Sequence, residues 1–195
     1  MALGKQAKTL NITQQRAVLN YLEATRSPTR NKVIFLLSVK AGLRAKEIAR
    51  LKWTMVLDSE GYITDRISLT DDASKGNSGG IIWLNKELLE ALKSLRSQNW
   101  VTDTDQFVIT SQRRGGMSAQ VIVNLFSYWY RQLGYEGCSS HSGRRTFITN
   151  AARKITAVGG SIRDVQLLAR HSSLTMTQRY IEADVEAMKK VVELV

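Results

Sequence analysis

Side chains suited to phosphate chemistry are concentrated in the last third of the chain. His141 is followed three residues later by Arg144, and His171 is followed nine residues later by Tyr180. An arginine offers a planar set of donors that matches phosphate oxygens, and a histidine can donate a hydrogen bond or move a proton near neutrality. A tyrosine hydroxyl becomes a useful nucleophile only where neighbours take its proton and stabilise the charge on the phosphate. Together these residues are what phosphate chemistry on DNA needs.

Three residues upstream extend this set. Arg44 follows a glycine at a helix start, and Glu47 comes one turn later, where it could hold the guanidinium of Arg44. Lys75 lies at the tip of a predicted hairpin, from which an ammonium could reach a phosphate or a leaving oxygen. Each residue taken alone has an ordinary alternative: a surface ion pair for Arg44, a solvated turn lysine for Lys75, and a half-buried core tyrosine for Tyr180.

The composition favours a polyanionic partner. The chain has 195 residues, of which 43% are hydrophobic, so it can bury the core of one domain, with or without a small appendage. Lys and Arg number 28 against 17 Asp and Glu, which gives a formal net charge of +11. Such a charge points most often to nucleic acid. The alternative is a basic helical protein unrelated to DNA.

Cysteine usage and hydropathy bear on location. Cys138 is the only cysteine, so no internal disulfide can form, which suits a reducing compartment. The first ten residues lack the apolar stretch of a signal peptide, and the longest apolar run, residues 33–37, is far too short to span a bilayer. We therefore expect a cytoplasmic, DNA-associated protein without a membrane segment.

The hydrophobic pattern predicts an α+β fold that is mainly α-helical. Asn11 or Thr13 is expected to cap the first helix, and Pro28 to lie in the first turn of the second, which Gly42 ends. Three short strands, at residues 56–57, 67–69 and 80–84, predict a small three-stranded antiparallel sheet near residues 55–85, with a glycine-rich hairpin loop over 70–79. The first helix is predicted over 14–24. Further helices are predicted over 45–51, 85–97, 118–133, 142–154, 161–169, 175–183 and 185–194.

Other kinds of site find little support. The sequence has no P-loop motif and no G-x-S-x-G turn, and no carboxylate cluster suggests a two-metal nuclease. One cysteine and two histidines argue against a zinc site. We therefore expect no metal ligands in this chain.

Three segments, in this order, resemble the tyrosine recombinases, also called phage integrases. Residues 41–53 (AGLRAKEIARLKW) are similar to the family's first arginine box, and residues 141–149 (HSGRRTFIT) to its H-x-x-R box. Residues 165–180 (VQLLARHSSLTMTQRY) resemble the final box, including the nine-residue step from histidine to tyrosine. The resemblance extends from about Thr13 to Glu182. It implies the family's catalytic-domain fold and site-specific cutting and rejoining of DNA.

By this resemblance, Tyr180 would attack the scissile phosphate, which would give a 3′-phosphotyrosyl bond and a free 5′-hydroxyl. Arg44 and Arg144 would hold the non-bridging oxygens, and His141 and His171 would support the transition state and proton transfer. Lys75 would protonate the leaving oxygen. No metal or nucleotide cofactor would be needed, because the covalent link stores the energy for rejoining.

The chain departs from the family pattern in two ways. Arg170 stands where a glycine is usual, and Met55 stands where an acidic residue is common, so we expect altered helix capping or DNA contacts rather than inactivity. The second departure is length: a loose basic leader over residues 1–10 is expected to precede a catalytic domain over 11–195, with no N-terminal core-binding domain. This would match the short members, such as the fimbrial-switch invertases, or a truncated domain. The candidates for DNA contact are Arg113, Arg114, Arg145 and Arg170.

The resemblance also implies partners. Double-stranded DNA is the expected substrate, with four protomers on two DNA sites, a monomer off DNA, and accessory DNA-bending proteins as further candidates. The C-terminal helix over 185–195 would pack onto a neighbouring protomer or, equally well, onto its own core. Two alternatives stay open: a non-cutting DNA-binding regulator or accessory protein on the same fold, and a type IB topoisomerase. The target site and the outcome (integration, excision, inversion or dimer resolution) do not follow from the sequence.

Overall fold

The computed structural model describes residues 6–74, 79–98, 103–113, 115–180 and 191–193. Its contacts divide the chain into two compact units, Met1–Phe147 and Ile148–Val195. The boundary lies within the helix Ser142–Lys154.

The helices of the first unit follow the sequence prediction closely. Asn11 caps α1, because its side chain accepts from the amide of Gln14, whose own side chain accepts from the amide of Asn11. Pro28 occupies the first turn of α2, as predicted. The bounds are α1 Ile12–Glu23, α2 Pro28–Val39, α3 Ala45–Arg50, α4 Lys86–Gln98, α5 Ala119–Gln132 and α6 Ser142–Lys154.

A single apolar core fills this unit. Residues 33–37 of α2 are fully buried, and α2 packs against α1, α3 and α4. Helix α5 packs against α3, and on α5 the rings of Phe126 and Trp129 meet edge to face with centroids 5.3 Å apart. The short helix α3 is therefore held between two well-packed helices.

In the described residues the sheet has two strands, not the three that the sequence predicted. Strands β1 (Arg66–Leu69) and β2 (Gly80–Trp83) pair antiparallel, with Arg66 opposite Trp83 and Leu69 opposite Gly80. The predicted strand at 56–57 is wrong, because a 3₁₀ turn over Trp53–Met55 leads into it and only Leu57 forms a bridge, with Ile63.

A tight turn follows Leu57 and forms a very short hairpin. The carboxylate of Asp58 accepts from the backbone amides of Glu60 and Tyr62, and Gly61 adopts φ +84°. This reversal brings Leu57 beside Ile63, and the amide of Thr64 donates to the carbonyl of Val56 at 2.9 Å. The 3₁₀ turn over Trp53–Met55 leaves no extended residues before Val56, so the pairing stops at one bridge.

The N-terminal segment also differs from the prediction. Leu10 is buried, and its amide donates to Oγ1 of Thr146 at 2.8 Å. The amide of Lys8 donates to the carbonyl of Gly137 at 3.0 Å. The expected loose leader is thus wrong for residues 7–10, while residues 1–5 lie outside the described part of the chain.

The second unit contains the end of α6, a 3₁₀ turn over Ile155–Val158, α7 (Ile162–Ala169) and α8 (Leu174–Gln178). Helix α7 packs against α8. Residues 181–190 lie outside the described residues, and with them most of the predicted helix over 185–195. Within the part of the chain that the structure describes, no helix combines the length and apolar character needed to cross a membrane.

Candidate functional site

Arg44 is held at the start of α3 by Glu47. One carboxylate oxygen of Glu47 accepts from the backbone amide of Arg44, and the other accepts from Nη1 of Arg44, both at 2.8 Å. Glu47 is fully buried, whereas the side chain of Arg44 is 20% exposed. A carboxylate in the first turn also suits the helix dipole. The pair thus fixes the orientation of a guanidinium that solvent can still reach.

Arg144 is attached to the turn that precedes Arg44. It lies in the first turn of α6, is only 4% exposed, and donates from Nη1 to the carbonyl of Gly42 at 2.6 Å. Gly42 has φ +67°, and a Cβ there would lie 2.6 Å from the ring of Phe147. Only glycine therefore suits this position, and its backbone links the two arginine motifs.

His141 lies in the turn immediately before α6 and is exposed. The amide of Ser139 donates to Oγ of Ser142, and the amide of Ser142 donates to the carbonyl of Ser139, both at 2.9 Å. A Cβ at Gly143 would collide with Ser38 of α2. The turn and this close approach fix where α6 begins, and hence the backbone of His141 and Arg144.

Helix α3 also holds the segment that leads to Lys75. Nζ of Lys46 donates to the carbonyl of Ser74 at 3.0 Å, and Nη1 of Arg50 donates to the carbonyl of Asp72 at 2.6 Å. Lys75 itself falls in residues 75–78, outside the described residues. The helix capped by Arg44 therefore anchors the chain up to Ser74.

In the second unit, α7 begins and ends with well-defined caps. Ser161 donates from its amide and its hydroxyl to Asp164, and these hydrogen bonds hold the pKa of that carboxyl below its usual value. At the other end, the amide of His171 donates to the carbonyl of Gln166, and that of Arg170 to the carbonyl of Leu167. These two bonds form a Schellman motif, which places His171 directly after the helix.

Arg170 occupies the left-handed position of this motif, with φ +52° and ψ +48°. In the described residues it is the one non-glycine residue with positive φ. Arg170 thus fills the left-handed cap position that glycine most often takes at the end of a helix.

His171 and Tyr180 are in contact. Their rings stack with centroids 5.5 Å apart and an interplanar angle of 27°. His171 is 7% exposed, and its Nδ1 lies 3.0 Å from Oγ1 of Thr177, a hydrogen bond whose direction depends on the tautomer. Nε2 of Gln166 donates to the carbonyl of His171 at 2.9 Å. Thr177 thus orients the imidazole and Gln166 holds the backbone of His171, next to a half-buried tyrosine.

The predicted DNA-contact arginines lie in different settings. Arg145 donates from Nη1 to the carbonyl of Ala7 at 2.9 Å, so it is engaged by the N-terminal segment. Arg113 is exposed in a turn between Thr110 and Gly116, which form an antiparallel bridge. Arg170 is half-buried, and Arg114 lies outside the described residues. Contact of these four residues with DNA stays a prediction.

Some residues that build the site were not singled out from the sequence. Gly42, Gln166 and Thr177 contact Arg144 or His171 directly. Gln166 carried a signal, since it is a polar residue on the buried face of α7 beside Val165. Gly42 was predicted only as the end of the second helix, because its bond to Arg144 joins residues 102 positions apart along the chain. Among the described residues, no group of three His, Cys, Asp or Glu could hold a metal ion.

Comparison with known proteins gives consistent matches. The model of the phage integrase family matches residues 8–187. The tyrosine recombinase XerA of Thermococcus onnurineus is 28% identical over 189 residues, which cover 95% of this chain and 62% of that protein. The chain thus spans less than two thirds of that relative.

Solved structures share the fold. The crystal structure of XerA recombinase matches with a TM-score of 0.73 at 21% identity, covering 100% of this chain and 65% of that one. The integrase of transposon Tn1549, in complex with a circular intermediate DNA, matches with a TM-score of 0.75 at 18% identity, covering 99% and 67%.

Proposed function

Because the chain belongs to the phage integrase family, we propose that it is a site-specific DNA recombinase that works through a 3′-phosphotyrosyl intermediate. The observation that carries this proposal is the contact between Tyr180 and the buried, oriented ring of His171. A tyrosine at this family position, beside a histidine fixed by Thr177, suits a nucleophile whose neighbour stabilises charge on the phosphate.

The reaction exchanges one phosphodiester for another. Oη of Tyr180 gives its proton to a histidine of the site, His141 or His171, and bonds to the scissile phosphorus, while the bond from phosphorus to the 5′ oxygen breaks. Arg44 and Arg144 bind the non-bridging oxygens, and Lys75 gives a proton to the leaving 5′ oxygen. Attack by a 5′-hydroxyl on the phosphotyrosine reverses these steps and rejoins the strand. The exchange consumes no metal or nucleotide cofactor.

His141 and His171 support the transition state by donating hydrogen bonds to the phosphate and by moving protons. Glu47 acts through Arg44, since its buried carboxylate fixes the direction of that guanidinium. Loss of either arginine would remove donors aimed at the developing charge.

Double-stranded DNA is the proposed partner. The net charge of +11 favours a polyanion, and the Tn1549 integrase of similar fold was solved with DNA. We place the catalytic domain at residues 11–195, acting in the cytoplasm as a tetramer on two DNA sites and as a monomer off DNA, with accessory DNA-bending proteins as further partners.

Covalent capture tests the chemistry. The protein is incubated with nicked fragments of the DNA that flanks its own gene, and adducts that resist denaturant are measured. We expect adducts with the wild type and with Tyr62→Phe, a control at a tyrosine that is 67% exposed, and none with Tyr180→Phe. Adducts that persist in Tyr180→Phe would show that another residue is the nucleophile.

The alternatives give different results. Salt-sensitive DNA binding without any adduct in the wild type would favour a non-cutting DNA-binding protein. Relaxation of supercoiled DNA that lacks a specific site would favour a topoisomerase.

A further inference from the structure

The N-terminal segment binds the start of α6 at two points and the loop before α6 at a third. We call residues 7–10 the N-terminal clamp. The carbonyl of Ala7 accepts from Nη1 of Arg145 at 2.9 Å, and the amide of Lys8 donates to the carbonyl of Gly137 at 3.0 Å. The amide of Leu10 donates to Oγ1 of Thr146 at 2.8 Å. Two of the contacts reach the first five residues of α6, at Arg145 and Thr146, and the third reaches Gly137, five residues before the helix.

Thr146 is the central point of this arrangement. It is 1% exposed, accepts from Leu10, and donates to the carbonyl of Ser142 at 2.7 Å. Leu10 is equally buried, and its carbonyl accepts from Nε2 of Gln15 in α1. Breaking the bond from Leu10 to Thr146 would leave a buried amide without its partner, which is costly. The hydroxyl therefore links the clamp to the first residue of α6.

Arg144 lies within the stretch that the clamp holds, between Ser142 and Thr146. Its buried guanidinium donates to Gly42, two residues before Arg44. A shift of the first turn of α6 would therefore displace this guanidinium. Small displacements of a group that positions a reacting phosphate have large effects on rate.

We propose that Thr146 and Arg145 are positioning residues, which act through the N-terminal clamp to hold Arg144 for the reaction. This inference rests on the proposed function, in which Arg144 binds the scissile phosphate. It assigns Arg145 to the clamp rather than to a DNA contact.

The main test compares Thr146→Val, which removes the hydroxyl at nearly constant volume, with Thr146→Ser, which keeps it. Three quantities are measured: hydrogen exchange of the Leu10 amide, the single-turnover rate of adduct formation at saturating DNA, and the Kd for DNA. In Thr146→Val we expect the Leu10 amide to exchange roughly tenfold or more faster than in the wild type, and the adduct to form roughly tenfold or more slower. The Kd for DNA should stay within about twofold of the wild-type value. Thr146→Ser restores both.

Thr25→Val serves as a matched control. Like that of Thr146, the hydroxyl of Thr25 donates one hydrogen bond, to the carbonyl of Leu22, and accepts another, from the side chain of Asn31. It lies outside the clamp, so Leu10 exchange and the adduct rate of its folded fraction should equal those of the wild type. If Thr146→Val fails to fold, Arg145→Gln replaces it. A clamp role lowers the adduct rate at saturating DNA, whereas a DNA contact raises the Kd and leaves that rate unchanged.

Two results would overturn the proposal. One is a normal adduct rate in Thr146→Val although Leu10 exchanges faster, since the clamp then positions nothing. The other is unchanged exchange of Leu10, since the clamp then does not depend on Thr146. A wild type that forms no adduct would instead refute the proposed function.

Discussion

At the scale of single residues, Arg170 stands out because it pairs an unfavourable backbone with a position next to His171. Its φ of +52° costs an L-residue with a side chain roughly 1–2 kcal/mol. Two hydrogen bonds of the Schellman motif offset this strain, because the amides of Arg170 and His171 donate to two carbonyls at the end of α7. The backbone of His171 thus depends on a strained neighbour.

This strain predicts an unusual order of stabilities. Arg170→Gly and Arg170→Ala both remove the guanidinium and its contacts, so they differ only in backbone freedom. We expect the glycine variant to be more stable by about 1 kcal/mol, because glycine adopts positive φ without a steric cost. Urea denaturation measures the difference.

Ser94 provides the control, since it is exposed in the middle of α4. There Ala should be more stable than Gly by about 0.5–1 kcal/mol. If Arg170 showed the same order as Ser94, the left-handed conformation would not persist in solution.

At the scale of elements, α3 does more than carry Arg44. It is only six residues long, yet its cap orients one guanidinium and its Lys46 and Arg50 hold the chain from Asp72 to Ser74. Its burial between α2 and α5 gives it a fixed place despite its length. A short helix is marginal alone, so packing must supply this stability.

The anchoring by α3 predicts a leaving-group effect. Lys46→Met and Arg50→Met should misplace the segment that leads to Lys75 and slow cleavage by about tenfold, a fraction of what a general acid contributes. When the leaving 5′ oxygen is replaced by sulfur, both variants should cleave this DNA within about twofold of the rate at which the wild type cleaves it. The leaving thiol has a pKa of about 8.5, so it departs as a thiolate and needs no proton from Lys75. Single-turnover cleavage of both substrates measures this.

Lys93→Met is the control, because Lys93 is an exposed lysine paired with Glu90 on α4. It should cleave both DNAs at the wild-type rate. An equal loss on the oxygen and sulfur substrates in Lys46→Met would show that α3 affects the arginines proposed to bind the phosphate rather than leaving-group protonation.

At the scale of the whole molecule, charge should govern DNA affinity. The site residues are divided between the two compact units: Arg44, His141 and Arg144 belong to the first, and His171 and Tyr180 belong to the second.

The formal net charge of the whole chain is +11. Binding to DNA should release counterions in proportion to the phosphates that are neutralised.

Salt dependence therefore separates charge from chemistry. The logarithm of the binding constant should fall linearly with the logarithm of salt concentration, and Arg44→Ala should reduce the slope by about 0.9, the value for one phosphate contact. Tyr180→Phe removes no charge and should keep the wild-type slope. Fluorescence anisotropy with a duplex at several salt concentrations measures this, and a flat wild-type dependence would contradict a polyanionic partner.

The local structure was largely predictable. Helix α6 has the predicted bounds, Asn11 caps α1 as one of two predicted candidates, and Glu47 contacts Arg44 as expected. These features depend on residues within one helical turn of each other, so periodicity and capping chemistry are sufficient. The missing third strand was not predictable in the same way, because a 3₁₀ turn over Trp53–Met55 limits the β-prone residues after it to a single bridge, from Leu57 to Ile63.

The sequence by itself determined which chemical groups this protein has and in which order: two arginines, two histidines and a tyrosine at the spacing of the family's boxes. Only the tertiary structure decided what holds them. Arg144 is fixed by Gly42 across 102 residues, and Thr146 is bound by Leu10 across 136. Such contacts arise because packing buries polar groups that must then find partners, and the nearest partner in space leaves no periodic trace in the sequence.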